Sequence, residues 1–166
     1  MKEIIGKNAF VDVLNYKNIP AKIDTGADSS AICVSDVSIA EDNILRFKLF
    51  YPGSPFYDGK VIEYKDYRAI LTRSSHGEEK ICYRVYLPLT ICNHKIKTLF
   101  NLSDRSKNYF PILIGRRTIS RKFLVDVSRG PVPIKKPKSH HLNRRLKANP
   151  YLFHQEYIVK KKGKIS

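Results

Sequence analysis

Ile19-Pro20-Ala21-Lys22-Ile23-Asp24-Thr25-Gly26-Ala27 is the stretch on which the reading of this chain turns. An apolar, strand-like run leads straight into Asp-Thr-Gly. If Asp24 is catalytic, each neighbour has a physical task. Asp24 supplies a carboxylate that activates water. The Thr25 hydroxyl bonds to backbone and stiffens the loop. Gly26 has no side chain, so its backbone approaches the carboxylate closely. Ala27 is small enough to pass beneath it. The bare triplet also makes an ordinary turn. The strand before it and the small residue after it raise the signal.

A second segment echoes the first. Phe110-Pro111-Ile112-Leu113-Ile114-Gly115-Arg116-Arg117 also begins apolar-Pro, runs as a buried strand and ends at glycine. Outward from these two, the chain to residue 127 reads as strands. Leu45-Arg46-Phe47-Lys48-Leu49 alternates apolar and basic, and Lys95-Ile96-Lys97-Thr98-Leu99-Phe100 continues the pattern. In Ile81-Cys82-Tyr83-Arg84-Val85-Tyr86-Leu87 the alternation puts Ile81, Tyr83, Val85 and Leu87 on one face. Turn signals separate the runs at Pro52-Gly53-Ser54-Pro55, Asp58-Gly59, Ser74-Ser75-His76-Gly77 and Cys92-Asn93-His94. The expectation is an all-β barrel or sandwich with one short helix over residues 116–120. The pattern closes at Asp126. Gly130-Pro131-Val132-Pro133 cannot join a regular ladder, because proline lacks the donor. This predicts a domain over residues 1–130 and a basic extension over 131–166, an extended arm or a solvated tail with apolar residues at Tyr151, Leu152, Phe153, Tyr157 and Ile158.

Charge narrows the partners. The chain has 166 residues, with 31 Lys and Arg against 15 acids, a net +16. Residues 135–166 hold ten of those bases and one acid, Glu156, and so carry +9. Such a field favours polyanions: an acidic peptide, nucleic acid or a ribosome. Three cysteines without a Cys-x-x-Cys pair argue against a disulfide framework and for a reducing cytoplasm. Neither a secretory segment nor a run long enough to span a membrane is visible. No His-Glu-x-x-His occurs, the five histidines do not recur at ligand spacing, and no Gly-rich phosphate loop with Lys appears. The expectation is therefore no metal and no cofactor.

Asp24-Thr25-Gly26-Ala27-Asp28, a hairpin near residues 74–77, Ile112-Leu113-Ile114-Gly115-Arg116 and a strand over residues 123–127 stand in the order of the retropepsins. The chain resembles that family. It is closest to the bacterial retropepsin-like group that carries the label ATP-dependent zinc protease, whose pattern matches Lys22 to Ala27, Ser30-Ala31, Leu102-Ser103-Asp104-Arg105, Leu113 to Arg116 and Phe123-Leu124-Val125-Asp126. The resemblance covers roughly residues 5 to 128. It implies a retropepsin-like closed β-barrel, one half of an acid protease, in which Leu113-Ile114-Gly115 crosses beside the catalytic loop. Members sit beside, or are fused to, ATP-grasp ligases that add glutamates to proteins, including a ribosomal protein. That implies an aspartic peptidase acting on glutamate-rich or otherwise acidic tails. The zinc and ATP of the label have no counterpart in these residues.

An aspartic peptidase needs two carboxylates that share a proton. With one Asp-Thr-Gly per chain, the mechanism requires a two-fold homodimer whose axis passes between two Asp24 loops. The expected catalytic set is Asp24, Thr25 and Gly26 from each copy. Lys22, Ala27, Arg73, Ser75, His76, Arg84 and Arg116 are candidates to contact substrate, the arginines by two-pronged bonds to carboxylates. The hairpin over residues 74–77 would be a mobile flap. Asp104-Arg105 reads as a structural turn with an internal ion pair. Two other readings stand beside this one. One is a nucleic-acid or ribosome binder acting through the basic tail, with Tyr151, Phe153 and Tyr157 among its bases. The other is an inactive retropepsin-like module that dimerises or binds peptides.

Overall fold

Alternation in the sequence becomes strands whose inward residues meet in one core. The computed structural model describes residues 1–73, 77–134 and 140–162, and in the last stretch the side chains of residues 143–160. In chain order the strands are β1 (Glu3–Gly6), β2 (Asn8–Val13), β3 (Tyr16–Asp24), β4 (Ser30–Ile39), β5 (Leu45–Leu49), β6 (Val61–Tyr64), β7 (Arg68–Arg73), β8 (Glu79–Ile91), β9 (His94–Ser103), β10 (Ile112–Gly115) and β11 (Phe123–Asp126). A short helix, α1 (Arg116–Ile119), follows β10 directly. Two more helices, α2 (His140–Ala148) and α3 (Pro150–Lys162), lie in the C-terminal region.

Six strands close a barrel in the order β10-β3-β2-β8-β9-β4, because β4 returns to pair with β10. Val11, Val13, Ile19, Ala21, Ile32, Val85, Leu87, Phe100, Ile112 and Ile114 fill it, all essentially removed from water. The two sequence segments that echo each other lie side by side. β3 and β10 run parallel, with Ala21 opposite Ile112, Ile23 opposite Ile114 and Asp24 opposite Gly115. The fold is thus the all-β, retropepsin-like closed barrel that the strand pattern and the resemblance imply.

Three features extend the barrel. β5 and β6 continue the sheet beyond β4. β7 pairs with the outer half of β8, from Arg68 opposite Arg84 to Arg73 opposite Glu79, as a hairpin ribbon. β1 and β11 form a separate parallel pair. The ribbon explains one departure from the sequence pattern. Val85 and Leu87 are buried, whereas Ile81, on the same face, is 54% exposed, because the outer half of β8 has no core beneath it. The β8–β9 connection is a two-residue turn with Cys92 and Asn93 both at positive φ, the geometry that matches strand twist.

The chain divides into two compact units, Met1–Val132 and Pro133–Ser166. In the first, the segment after β11 is stitched to β2. The Val132 N–H donates to Asn8 Oδ1 at 3.0 Å, and Asn8 Nδ2 donates to the Val132 carbonyl at 3.1 Å. Both residues are buried. The second unit is helical rather than an extended arm. Asn149 caps α3 through the Leu152 N–H at 3.0 Å, and Pro150 occupies the first helical position, where its missing donor costs nothing. Arg145 pairs with Glu156 and lies over the Phe153 ring, joining α2 to α3. None of the described helices is long and apolar enough to cross a membrane. The three cysteines are free, and burial pushes the Cys33 and Cys92 thiols up from their ordinary value.

A chain ending after Gly130 leaves both buried bonding atoms of Asn8 unpaired. It should lose about 1–3 kcal/mol relative to a chain ending after Ile134. Urea melts of the two truncations check this; equal midpoints would contradict it.

Candidate active site

The Asp24 loop is held from three sides. Asp24 Oδ1 accepts the Gly26 N–H at 3.1 Å and the Ala27 N–H at 3.2 Å, so the carboxylate anchors its own turn. From below, the Arg116 N–H donates to the Ala27 carbonyl at 2.8 Å and the Arg117 N–H to the Asp28 carbonyl at 3.2 Å. From the side, the Ile23 N–H donates to the Lys7 carbonyl at 3.0 Å. A Cβ on Gly26 would stand 3.4 Å from Asp24 Oδ1, in ordinary contact with the carboxylate.

Gly115 carries the tightest constraint. A Cβ there would lie 2.5 Å from the Ser29 carbonyl carbon and oxygen, inside any permitted contact. Its N–H donates to Ser30 Oγ at 3.0 Å, and that hydroxyl also bonds Thr118 Oγ1 at 2.9 Å. Ser30 and Thr118 are buried, so these bonds form in low dielectric, where losing one is costly. The apolar-apolar-Gly segment therefore braces the Asp24 loop through backbone contact and one hydroxyl pair.

Strand register assigns the side chains to faces, since cross-strand partners share a face, as do residues two apart. Lys22 lies opposite Leu113, Leu113 opposite Ala31, Ala31 opposite Asn101, Asn101 opposite Arg84, and Arg84 opposite Arg68. One row thus runs through five strand pairs round the outside of the barrel, on the side of the strands away from the core. Asp24, two residues after Lys22, belongs to that face. Lys22 and Arg84 share it, and so does Arg68, which sequence reading passed over. Arg84 Nε and Asn101 Oδ1 are buried, lie opposite each other and have no partner among the described residues. A half-buried guanidinium with an unfilled donor is suited to accept a carboxylate.

The other expected residues are disposed differently. Arg73 sits on the opposite face of the ribbon from Arg68, and its Nη2 is 2.7 Å from Glu79 Oε1. Arg116 Nε and Arg117 Nε both hold Asp28, at 3.2 and 2.8 Å. Ser75 and His76 lie outside the described residues. Ala27 is half-buried beneath the loop. Thr25 is exposed at the apex of the loop. Asp104 and Arg105 do not form the expected pair. Asp104 Oδ1 accepts the Ser106 N–H at 2.9 Å, and Arg105 Nε donates to the Phe110 carbonyl at 3.1 Å. Burial holds the Arg105 guanidinium below its ordinary value, and the nearby Cys33 and Asp24 groups pull it back up. Arg105 is thus a partly buried cation in the field of Asp24. Only the neighbouring acid in sequence had suggested a partner for it.

Over residues 4–136 the chain matches the family described as RimB-like, retropepsin-like aspartic endopeptidase RimB. Among solved structures it is similar to a Legionella pneumophila protein of unknown function, Lpg0085 (DUF785). The two are 20% identical, the match covers 78% of this chain and 96% of that one, and the TM-score is 0.59. At that identity the likeness concerns the fold. No curated protein matches.

Replacing Gly115 with alanine should destabilise the barrel by about 1–3 kcal/mol through overpacking. It should also shift backbone amide resonances at Asp28 and Ser29. A variant with the parent's stability and unchanged amide spectrum would mean that the contact is not the brace described.

Proposed function

The chain belongs to the RimB-like family of retropepsin-like aspartic endopeptidases, and from that premise we propose that it is a homodimeric aspartic peptidase that hydrolyses peptide bonds in acidic, glutamate-rich peptides or tails. One observation carries the reading. A braced Asp24 carboxylate stands at the end of β3 on the outer side of the barrel, which also bears Lys22, Arg84 and Arg68. Thr25 and Gly26 are exposed at the loop apex, available to a second copy across a two-fold axis. The narrower likeness to the group labelled ATP-dependent zinc protease adds the link to glutamate ligases. Three free thiols suit work in the cytoplasm.

In this mechanism two copies of Asp24 hold one proton between them. The ionised carboxylate takes a proton from water, and the water oxygen bonds to the scissile carbonyl carbon. The protonated carboxylate gives its proton to the carbonyl oxygen. The tetrahedral intermediate then collapses: the protonated carboxylate gives its proton to the amine, the C–N bond breaks, and a hydroxyl of the intermediate passes its proton to the other carboxylate, which restores the dyad. The β7–β8 ribbon serves as the flap that keeps bulk water out. Lys22, Arg84 and Arg68 orient substrate carboxylates, with Arg116 at the rim.

A second reading has its own observation. α2 and α3 carry exposed Tyr151 and Tyr157 among Arg144, Lys147 and Lys160. That surface suits backbone-driven contact with nucleic acid or a ribosome. Steeply salt-dependent RNA binding that survives loss of Asp24 would favour it.

Asp24→Asn keeps an acceptor for the Gly26 and Ala27 amides but removes the shared proton. The variant should fold and sediment as the parent does and lose turnover of an acidic peptide by about a thousandfold or more. Parent activity should be indifferent to EDTA and to ATP. Substantial turnover by the variant, or zinc-restored activity after EDTA, would overturn the assignment.

A further inference from the structure

Beside the Asp24 loop lies a concave site whose lining, Arg68 excepted, takes no part in the proposed mechanism. It is a cavity of about 190 Å³ whose lining includes the cations Arg68, Lys97, Arg117 and Lys122, together with Tyr86 and Thr118. No acidic side chain lines it among the described residues. Arg68 and Lys97 both stand over the Tyr86 ring, at 5.6 and 5.0 Å from its centroid. Arg117 Nε is taken by Asp28 at 2.8 Å, which fixes that side chain at the rim. Like charges gathered around one hollow repel each other, and an anion placed among them relieves that repulsion.

Position connects the hollow to the cleft. Arg68 ends the row that begins at Lys22. Tyr86, two residues beyond Arg84, lies on the same face. Ser29 and Ser30, which also line the hollow, follow the catalytic loop directly. A peptide lying over Asp24 and extending past Ser29 arrives at the hollow several residues from the scissile bond. The volume admits one side-chain carboxylate rather than a folded surface. We propose that this cavity is a distal subsite that takes the carboxylate of an acidic residue in the bound peptide. The inference rests on the peptidase reading for its substrate but has its own test.

Binding is measured by calorimetry on the full-length Asp24→Asn chain with hexaglutamate as the probe, so that turnover plays no part. Adding Lys97→Gln and Lys122→Gln should weaken binding by about tenfold. Both lysines are exposed, so the fold is spared. A control of equal charge, Lys2→Gln with Lys65→Gln, should cost about threefold or less by long-range effects alone. Equal losses in pocket and control variants overturn the subsite, as does full retention of affinity. A pocket variant that loses affinity for a short RNA and keeps it for hexaglutamate overturns the carboxylate assignment. If the parent chain cleaves no acidic peptide yet the pocket variant loses hexaglutamate as expected, the subsite stands and the peptidase reading falls.

Discussion

The approach of Gly115 to the backbone of Asp28 and Ser29 is the constraint on which the rest of the structure depends. β10 is only four residues long, yet it pairs with β3 on one side and β4 on the other. That double pairing closes the barrel. It also sets Gly115 opposite Asp24, so closing the barrel and positioning the carboxylate are one event. The buried Ser30–Thr118 hydroxyl pair and the Gly115 N–H then lock α1 beneath the loop. A side chain at Gly115 disturbs core closure and site geometry together.

Electrostatics is layered onto this frame. The face that carries Asp24 also carries Lys22, Arg84 and Arg68, while the core face of the same strands carries Ile23, Ile114, Ile32, Phe100 and Val85. Strict alternation lets one set of strands fill a barrel and present basic side chains on its outer side. The ion pairs of Asp28 with Arg116 and Arg117 are solvent-exposed, so their contribution to stability is small. Their consequence is that Asp28 partly neutralises those two cations, whereas Lys22 and Arg84 have no acidic partner among the described residues.

Much of this was legible in the sequence because it rests on local pattern. Period-two alternation fixed β5, β8 and β9, and the echo between residues 19–26 and 110–115 marked the two strands that pair in parallel. The short helix was expected after Gly115, and the strand at Phe123 came with the family resemblance. What was not legible depends on partners distant in sequence. Arg68 joins the Asp24 face only through five successive registers. Arg105 looked paired with Asp104 by adjacency, yet it bonds the Phe110 carbonyl. The tail read as extended because of its prolines and its charge, but Asn149-Pro150 starts a helix, and Arg145 with Glu156 ties that helix to its predecessor. Asn8 gave no signal of its tie to Val132, since nothing local relates residues so far apart.

The central claim is that two chains share one dyad. Its most direct test is the binding stoichiometry of a peptide whose scissile bond is replaced by a statine hydroxyl, a group that sits between two carboxylates. The account predicts one inhibitor bound per two chains, and no binding at that hydroxyl's strength when Asp24 is replaced by asparagine. One inhibitor per chain, or equal affinity in the Asp24→Asn protein, would contradict it.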